Sequence, residues 1–162
     1  DVISGMSGFS LPDRRFQVLY RRGNILIVDD YAHHPTEIRA TLDTLQHENF
    51  GRVITVFQPH RYTRLENLME EFSDSFKGSD IVVLAKLYSA NQEEIKGVNS
   101  QVLAEMIRKK GSDNVINIDD NDRLLSYLKD EIREGDAVIF LSAGDLTRSA
   151  HHFSEMMEKE KI

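Results

Sequence analysis

The chain contains no cysteine. That excludes disulfides and thiolate-bound metal sites, and it fits a reducing, cytoplasmic setting. Positive charge is scarce as well: 20 lysines and arginines stand against 27 aspartates and glutamates, a formal net charge of −7. This balance excludes a general binder of nucleic acid or anionic membranes, whose affinity comes from neutralising phosphates. A local cationic site remains compatible with it, and Arg61 and Arg64 stand out against the acidic background. No apolar run approaches the roughly 20 residues of a membrane span, and the first residues do not read as a secretory leader. Internal repeats and low-complexity segments are also missing. So is a phosphate-binding P-loop: Ser4-Gly5-Met6-Ser7-Gly8 is glycine-rich but lacks the Lys-Ser/Thr and the preceding apolar strand.

What is present reads as one domain, since 162 residues with 40% hydrophobic content can bury a substantial core. The chain begins at Asp1 without an initiator methionine, which reads as a processed or excised piece of something longer. Residues 1–12 read as a linker through which the chain enters the domain, and 13–162 as the domain itself. Phe16 to Tyr20 and Ile25 to Val28, joined by Arg21-Arg22-Gly23-Asn24, predict a β-hairpin. Strands and helices then alternate. Pro35 opens a helix carrying Ile38, Leu42 and Leu45 to about His47, and Val53 to Phe57 is a strand. Leu65, Leu68, Met69, Phe72 and Phe76 keep helical spacing until Lys77-Gly78. Further strands are expected at Ile81 to Leu84, Val115 to Ile118 and Ala137 to Leu141. Helices are expected around Val102 to Ile107, Leu124 to Ile132 and Leu146 to Met157, with a polar loop over 86–99. The fold class that follows is α/β, Rossmann-like. It has a mostly parallel sheet flanked by helices and an N-terminal hairpin or antiparallel edge strand.

In that topology the turns after the parallel strands fall on one edge, where ligands gather in open α/β sheets. The edge collects Asp29 to His34, Gln58 to Arg64, the loop from Lys86, Asp119-Asp120 and Ser142 to Asp145. Asp29 and Asp30 are candidate helix caps, but two adjacent acids do not both need to cap, so at least one is expected to serve a ligand. His33, His34, His60 and Asp30 invite a metal-site reading, yet adjacent histidines rarely ligate one ion and no His-x-x-x-His or Cys pair supports it. A histidine donating to a phosphate or carboxylate suits the spacing better. Arg61 and Arg64 lie three apart and share a face if a helix has begun there. Cations are disfavoured at a helix N-terminus, so an anionic ligand is implied. His151-His152 reads as a surface or packing pair, Lys86 and Tyr88 as loop residues open to either role, and the methionines as core.

Two stretches carry a resemblance. Asp29-Asp30-Tyr31-Ala32-His33-His34-Pro35-Thr36-Glu37 and Phe57-Gln58-Pro59-His60-Arg61-Tyr62-Thr63-Arg64 are similar to the C-terminal domain of the ATP-dependent Mur ligase and folylpolyglutamate synthetase superfamily. The closest resemblance is to its branch that joins L-alanine to UDP-N-acetylmuramate in peptidoglycan synthesis. Arg14-Arg15-Phe16, Gly97-Val98-Asn99-Ser100 and Ser142-Ala143-Gly144-Asp145 also fit, whereas Tyr88 to Glu94 departs from the Ala-Gly-Glu-like form of many relatives. The resemblance implies a cytoplasmic amide-bond-forming ligase that uses ATP and Mg²⁺, held mainly through N-terminal UDP-sugar-binding and central ATP-binding domains not represented in these residues. It implies Arg15 and Asp30 at the nucleotide, Asp30 on the ribose hydroxyls. His33 would lie near the phosphates and the incoming amino acid, Tyr31, Arg61 and Arg64 on L-alanine, and His60 on the substrate side. No residue is implied as a metal ligand, and the isolated domain is expected to be inactive. The residues alone leave two other readings open: a free-standing nucleotide- or anion-binding regulatory module, and a metal-dependent hydrolase built on His33, His60 and the aspartates.

Overall fold

Side-chain alternation along the apolar runs decides the architecture. In β2 (Ile25–Asp30), Leu26 and Val28 join one buried cluster while Ile25 and Ile27 join another on the opposite face. The same division holds in β3 (Arg52–Phe57), β4 (Ile81–Ala85) and β6 (Asp136–Leu141). Strands buried on both faces need helices on both faces. Helices α1 (Pro35–Gln46), α2 (Tyr62–Ser73) and α3 (Ser100–Lys109) supply the first cluster, α4 (Asn121–Glu131) and α5 (Leu146–Glu160) the second. The computed structural model describes residues 14–160. The linker expected over residues 1–12 and the glycine-rich Ser4–Gly8 stretch therefore lie outside the described residues.

With β1 (Gln17–Arg22) and β5 (Val115–Ile118), the strands form one sheet in the order β1-β2-β6-β3-β4-β5. Only the β1–β2 pair is antiparallel, as the expected hairpin requires, and its turn falls at Gly23 with φ 55°. The remaining neighbours pair in parallel, so β2, β3, β4, β5 and β6 all end on the same edge. The expected α/β class with an antiparallel edge strand is the observed one.

Helix α1 starts and ends as expected but is capped differently, and α2 ends early. His34, not Asp29 or Asp30, caps α1: its Nδ1 accepts from Thr36 N at 3.3 Å, and Glu37 Oε2 accepts from His33 N and His34 N at 3.0 Å each. Burial opposes ionisation of Glu37, but those two N–H bonds hold its carboxyl below the usual range. The apolar spacing through Phe76 predicts a longer α2 than the one that forms. Leu68 leaves helical geometry (φ −118°, ψ 17°), and Asp74 is the C-cap. Ser73 Oγ and Ser75 Oγ donate to the carbonyls of Glu70 and Glu71, both at 2.6 Å, which competes with helix continuation. Phe76 still reaches the core through the following turn, its ring 5.4 Å from Phe57.

The opposite end of the sheet is held by charge. Arg52 forks onto Asp136 (2.9 and 2.7 Å) and reaches Glu131 Oε1 at 2.7 Å, so the acid buried at the start of β6 is paired.

Candidate functional site

Strand ends place the first group of side chains. Asp29 is fully buried on the α5 side, where its Oδ2 accepts from Thr147 Oγ1 at 2.6 Å and lies 3.4 Å from Arg14 Nε. Its Oδ1 has no hydrogen-bond partner among the described residues. Asp30 points the other way: Oδ1 accepts from Ala32 N at 2.7 Å and Oδ2 from Phe16 N at 2.8 Å. Neither acid caps α1, and both are engaged by the chain. A carboxylate oxygen has two lone pairs, so Asp30 keeps acceptor capacity beyond these bonds. Burial outweighs the two N–H bonds and raises its pKa.

Asp29 and Asp30 also fix the chain leading into β1. Arg14 donates through Nη2 to Ser142 O at 2.5 Å, and its guanidinium lies 5.2 Å from the Tyr31 ring centroid. Tyr31 N in turn donates to Arg14 O at 2.6 Å. Arg14 and Phe16 both adopt positive φ, 70° and 45°, a conformation costly for side-chain-bearing residues and held here by these bonds. Arg15 lies exposed between them, carried to the same edge.

A row of rings follows along the edge. Tyr31 and His33 meet edge-on at 5.1 Å, His33 and His60 lie 6.3 Å apart, and His60 stacks on Tyr88 at 5.4 Å with 11° between planes. The hydrogen bonds of the two histidines assign opposite tautomers. His33 Nδ1 sits 2.9 Å from Tyr31 O, which can only accept, so Nδ1 carries the hydrogen and Nε2 is left as an acceptor. His60 Nδ1 sits 3.2 Å from Arg64 Nη1, which can only donate, so Nδ1 accepts and Nε2 carries the hydrogen. Burial, then the charges of Arg64, Arg61 and His33, push His60 down to about 4, so it is neutral at physiological pH.

The N-terminus of α2 is the cationic part of the site. Arg61 is its N-cap rather than its first turn, with φ 69°, so Arg61 and Arg64 do not share a helical face as the spacing suggests. They nonetheless flank the same helix end, where the N-cap side chain makes no cap bond and the first turn carries no acid. The positive end of the helix dipole and two guanidinium charges together make an anion-binding position. Ala90 and Asn91, both at positive φ, shape the nearby loop, and Gln92 bonds Thr63 N and Thr63 Oγ1 in the first turn of α2.

Gln58 escapes a sequence reading although it lies in one of the singled-out stretches. Buried at the end of β3, its Nε2 donates to Asp145 Oδ1 (2.8 Å) and Lys86 O (3.3 Å). Its Oε1 accepts from Ser142 Oγ (2.9 Å) and Leu146 N (3.2 Å). One amide thus ties the β3, β4 and β6 turns together. The signal was a polar residue directly after an apolar strand, ahead of a proline. Asn99, by contrast, is a plain N-cap of α3, accepting from Val102 N at 2.9 Å. Lys86 and the His151-His152 pair are exposed, and the histidine pair lies in α5 away from this edge. Among the described residues, no group of three or more His, Asp or Glu side chains could hold a metal ion, which leaves the hydrolase reading without a ligand set. No described helix is long and apolar enough to cross a membrane.

Comparison with known proteins adds three findings. The family described as "Mur ligase, glutamate ligase domain" matches residues 14–144. The UDP-N-acetylmuramate–L-alanine ligase of Acetivibrio thermocellus is 40% identical over 161 residues, covering 99% of this chain and 33% of that enzyme. Among solved structures, the UDP-N-acetylmuramate–alanine ligase of Thermotoga maritima superposes with a TM-score of 0.77 at 23% identity, over 98% of this chain and 33% of that one. A MurF ligase of the same organism, in complex with ADP, gives 0.65 at 22% identity, over 98% and 34%. The chain spans about a third of the length of the curated relatives it matches.

Proposed function

The chain belongs to the Mur ligase family, and we propose on that footing that it is the C-terminal, amino-acid-binding domain of a cytoplasmic ligase joining L-alanine to UDP-N-acetylmuramate with ATP. In this reading residues 13–162 form the domain, and N-terminal UDP-sugar and central ATP-binding domains of the same polypeptide complete the enzyme. The observation that carries the reading is the α2 N-terminus. It is not capped by its own N-cap side chain, is free of acids in its first turn, is flanked by Arg61 and Arg64, and faces His33 across His60.

The reaction assigns each group a task. ATP phosphorylates the substrate carboxylate to an acyl phosphate; the alanine amine attacks the acyl carbon, phosphate leaves, and an amide bond remains. Arg61 and Arg64 receive the alanine carboxylate, whose negative charge the α2 N-terminus also favours. His33, with its Nδ1 hydrogen committed to Tyr31 O, offers Nε2 to take a proton from the ammonium before attack. Neutral His60 presents Nε2–H as a donor on the substrate side, and Tyr31 walls the alanine pocket. Asp30 and the exposed Arg15 face the nucleotide, and the residual lone pairs of Asp30 suit ribose hydroxyls. Magnesium, which the nucleotide would bring, finds no cluster of carboxylates in the described residues. Its ligands are assigned to the other domains.

The test is ADP release by the full-length protein and by residues 1–162. Full-length protein should release ADP only when both UDP-N-acetylmuramate and L-alanine are supplied, and residues 1–162 should release none. Ligation by residues 1–162 alone, or a full-length activity indifferent to L-alanine, would overturn the assignment.

A further inference from the structure

The loop that departs from the family pattern is docked onto the amino-acid site, and its aromatic residue has no assigned task. Tyr88 is 37% exposed, yet its backbone is fixed on both sides: Tyr88 N donates to Pro59 O and Arg61 N to Tyr88 O, each at 2.8 Å. The pair His60–Tyr88 thereby extends the β3–β4 pairing past both strands. Stacked rings at 5.4 Å and 11° follow from this registration. Behind Tyr88 lies Gly144, where a Cβ would stand 2.8 Å from Tyr88 Cγ, so the absence of a side chain there lets the ring lie against the β6–α5 turn. Gln92 secures the far end of the loop on Thr63, across two consecutive positive-φ residues, Ala90 and Asn91. A floppy surface loop would need none of this.

We propose that Tyr88 is a positioning residue of the amino-acid site. Its ring holds the His60 imidazole in the orientation that directs Nδ1 to Arg64 and frees Nε2–H as a donor. The proposal rests on the reading of this edge as the alanine site. It assigns the 88–92 loop, with Gln92 as its anchor, the work of keeping His60, Arg61 and Arg64 in mutual register. Stacking suits this task because it fixes the plane of a ring without consuming either of its nitrogens.

The experiment uses the full-length ligase, carrying ¹⁵N-labelled histidine, in wild-type, Tyr88→Phe, Tyr88→Leu, Gln92→Ala and Arg61→Lys forms. Tyr88→Phe keeps the ring and should match wild type in alanine KM and in the His60 signals. Tyr88→Leu should raise the alanine KM roughly three- to tenfold, the effect of one lost aromatic pair. Its kcat and ATP KM should hold, and His60 should shift from a single Nε2–H tautomer to a mixture with a higher titration midpoint. Arg64 and Arg61, the permanent charges that depress His60, are unchanged in that variant, as is His33, which adds to them only when protonated. Gln92→Ala, at a half-buried loop position outside the core, should move both readouts in the same direction by less. If Tyr88→Leu and Gln92→Ala leave His60 and the alanine KM at wild-type values while Arg61→Lys raises that KM, the Tyr88 assignment is overturned and the alanine site stands. If Arg61→Lys also has no effect, the alanine-site reading itself fails, and the role of Tyr88 falls with it. A rise in alanine KM without any change at His60 would likewise overturn the positioning role.

Discussion

His60 shows how a single residue's surroundings become a measurable property. Burial and the charges of Arg64, Arg61 and His33 push its pKa down to about 4 in the fold, against roughly 6.5 in an unfolded chain. Between those values the unfolded state binds more protons, so this group's contribution to stability grows as pH rises and is lost as pH falls from 6.5 towards 4. Asp30, whose pKa is raised by burial, contributes the opposite slope at the acid end, so the comparison has to be differential. Melting temperatures followed between about pH 4.5 and 6.5 should fall more steeply on acidification for wild type than for His60→Gln. Parallel curves would show that His60 is not held neutral. The residue types of the site were legible in the sequence, since acids, histidines and arginines after apolar strands mark a ligand edge. Their engagement was not. Asp30 is met by an N–H fourteen residues earlier and Asp29 by a hydroxyl 118 residues later, and local pattern carries no information about either.

At the scale of elements, the five helices and six strands of the described residues lie close to where periodicity puts them, because burial on a face of defined period sets both the pattern and the packing. Boundaries followed other rules. The α2 helix stops at Ser73 because serine hydroxyls and a break at Leu68 compete with it, although the apolar spacing runs on to Phe76. Arg61, whose place relative to the helix start the spacing left open, precedes it at positive φ, with its N–H donated to Tyr88 O. The turns themselves are tied by the Gln58 amide and by the space left at Gly144. An alanine Cβ at that position would lie 2.5 Å from Gln58 Oε1, an amide tip held by its own hydrogen bonds, and 2.8 Å from Tyr88 Cγ. Gly144→Ala should therefore destabilise the chain by about 1–3 kcal/mol, the usual cost of overpacking. It should also weaken the docking of the 88–92 loop. Urea midpoints of the two proteins measure the first effect; equal midpoints would mean that the β6–α5 turn relaxes and that the three turns are not rigidly coupled.

The whole molecule divides its labour between two ends of one sheet. At the start of β3 and β6, Arg52 pairs with Asp136 and Glu131, and charge there is compensated. At the far edge the positive charges of Arg61 and Arg64 gather at a helix terminus with no acid in its first turn, in a chain whose net charge is −7. Such an edge is a liability for folding and an asset for an anionic ligand, which is why its purpose is read in binding rather than in stability. The central claim is that this edge grips the carboxylate of L-alanine. Its most direct measurement is the alanine KM of the full-length ligase carrying Arg61→Lys, Arg64→Lys or both, alongside the KM values for ATP and UDP-N-acetylmuramate. Lysine keeps the charge and loses the bidentate fork, so each single variant should raise the alanine KM about tenfold or more, a loss of about 1.4–3 kcal/mol. The KM values for ATP and the UDP-sugar should stay near wild type. An alanine KM unchanged in all three variants would contradict the carboxylate clamp, even with ligase activity intact.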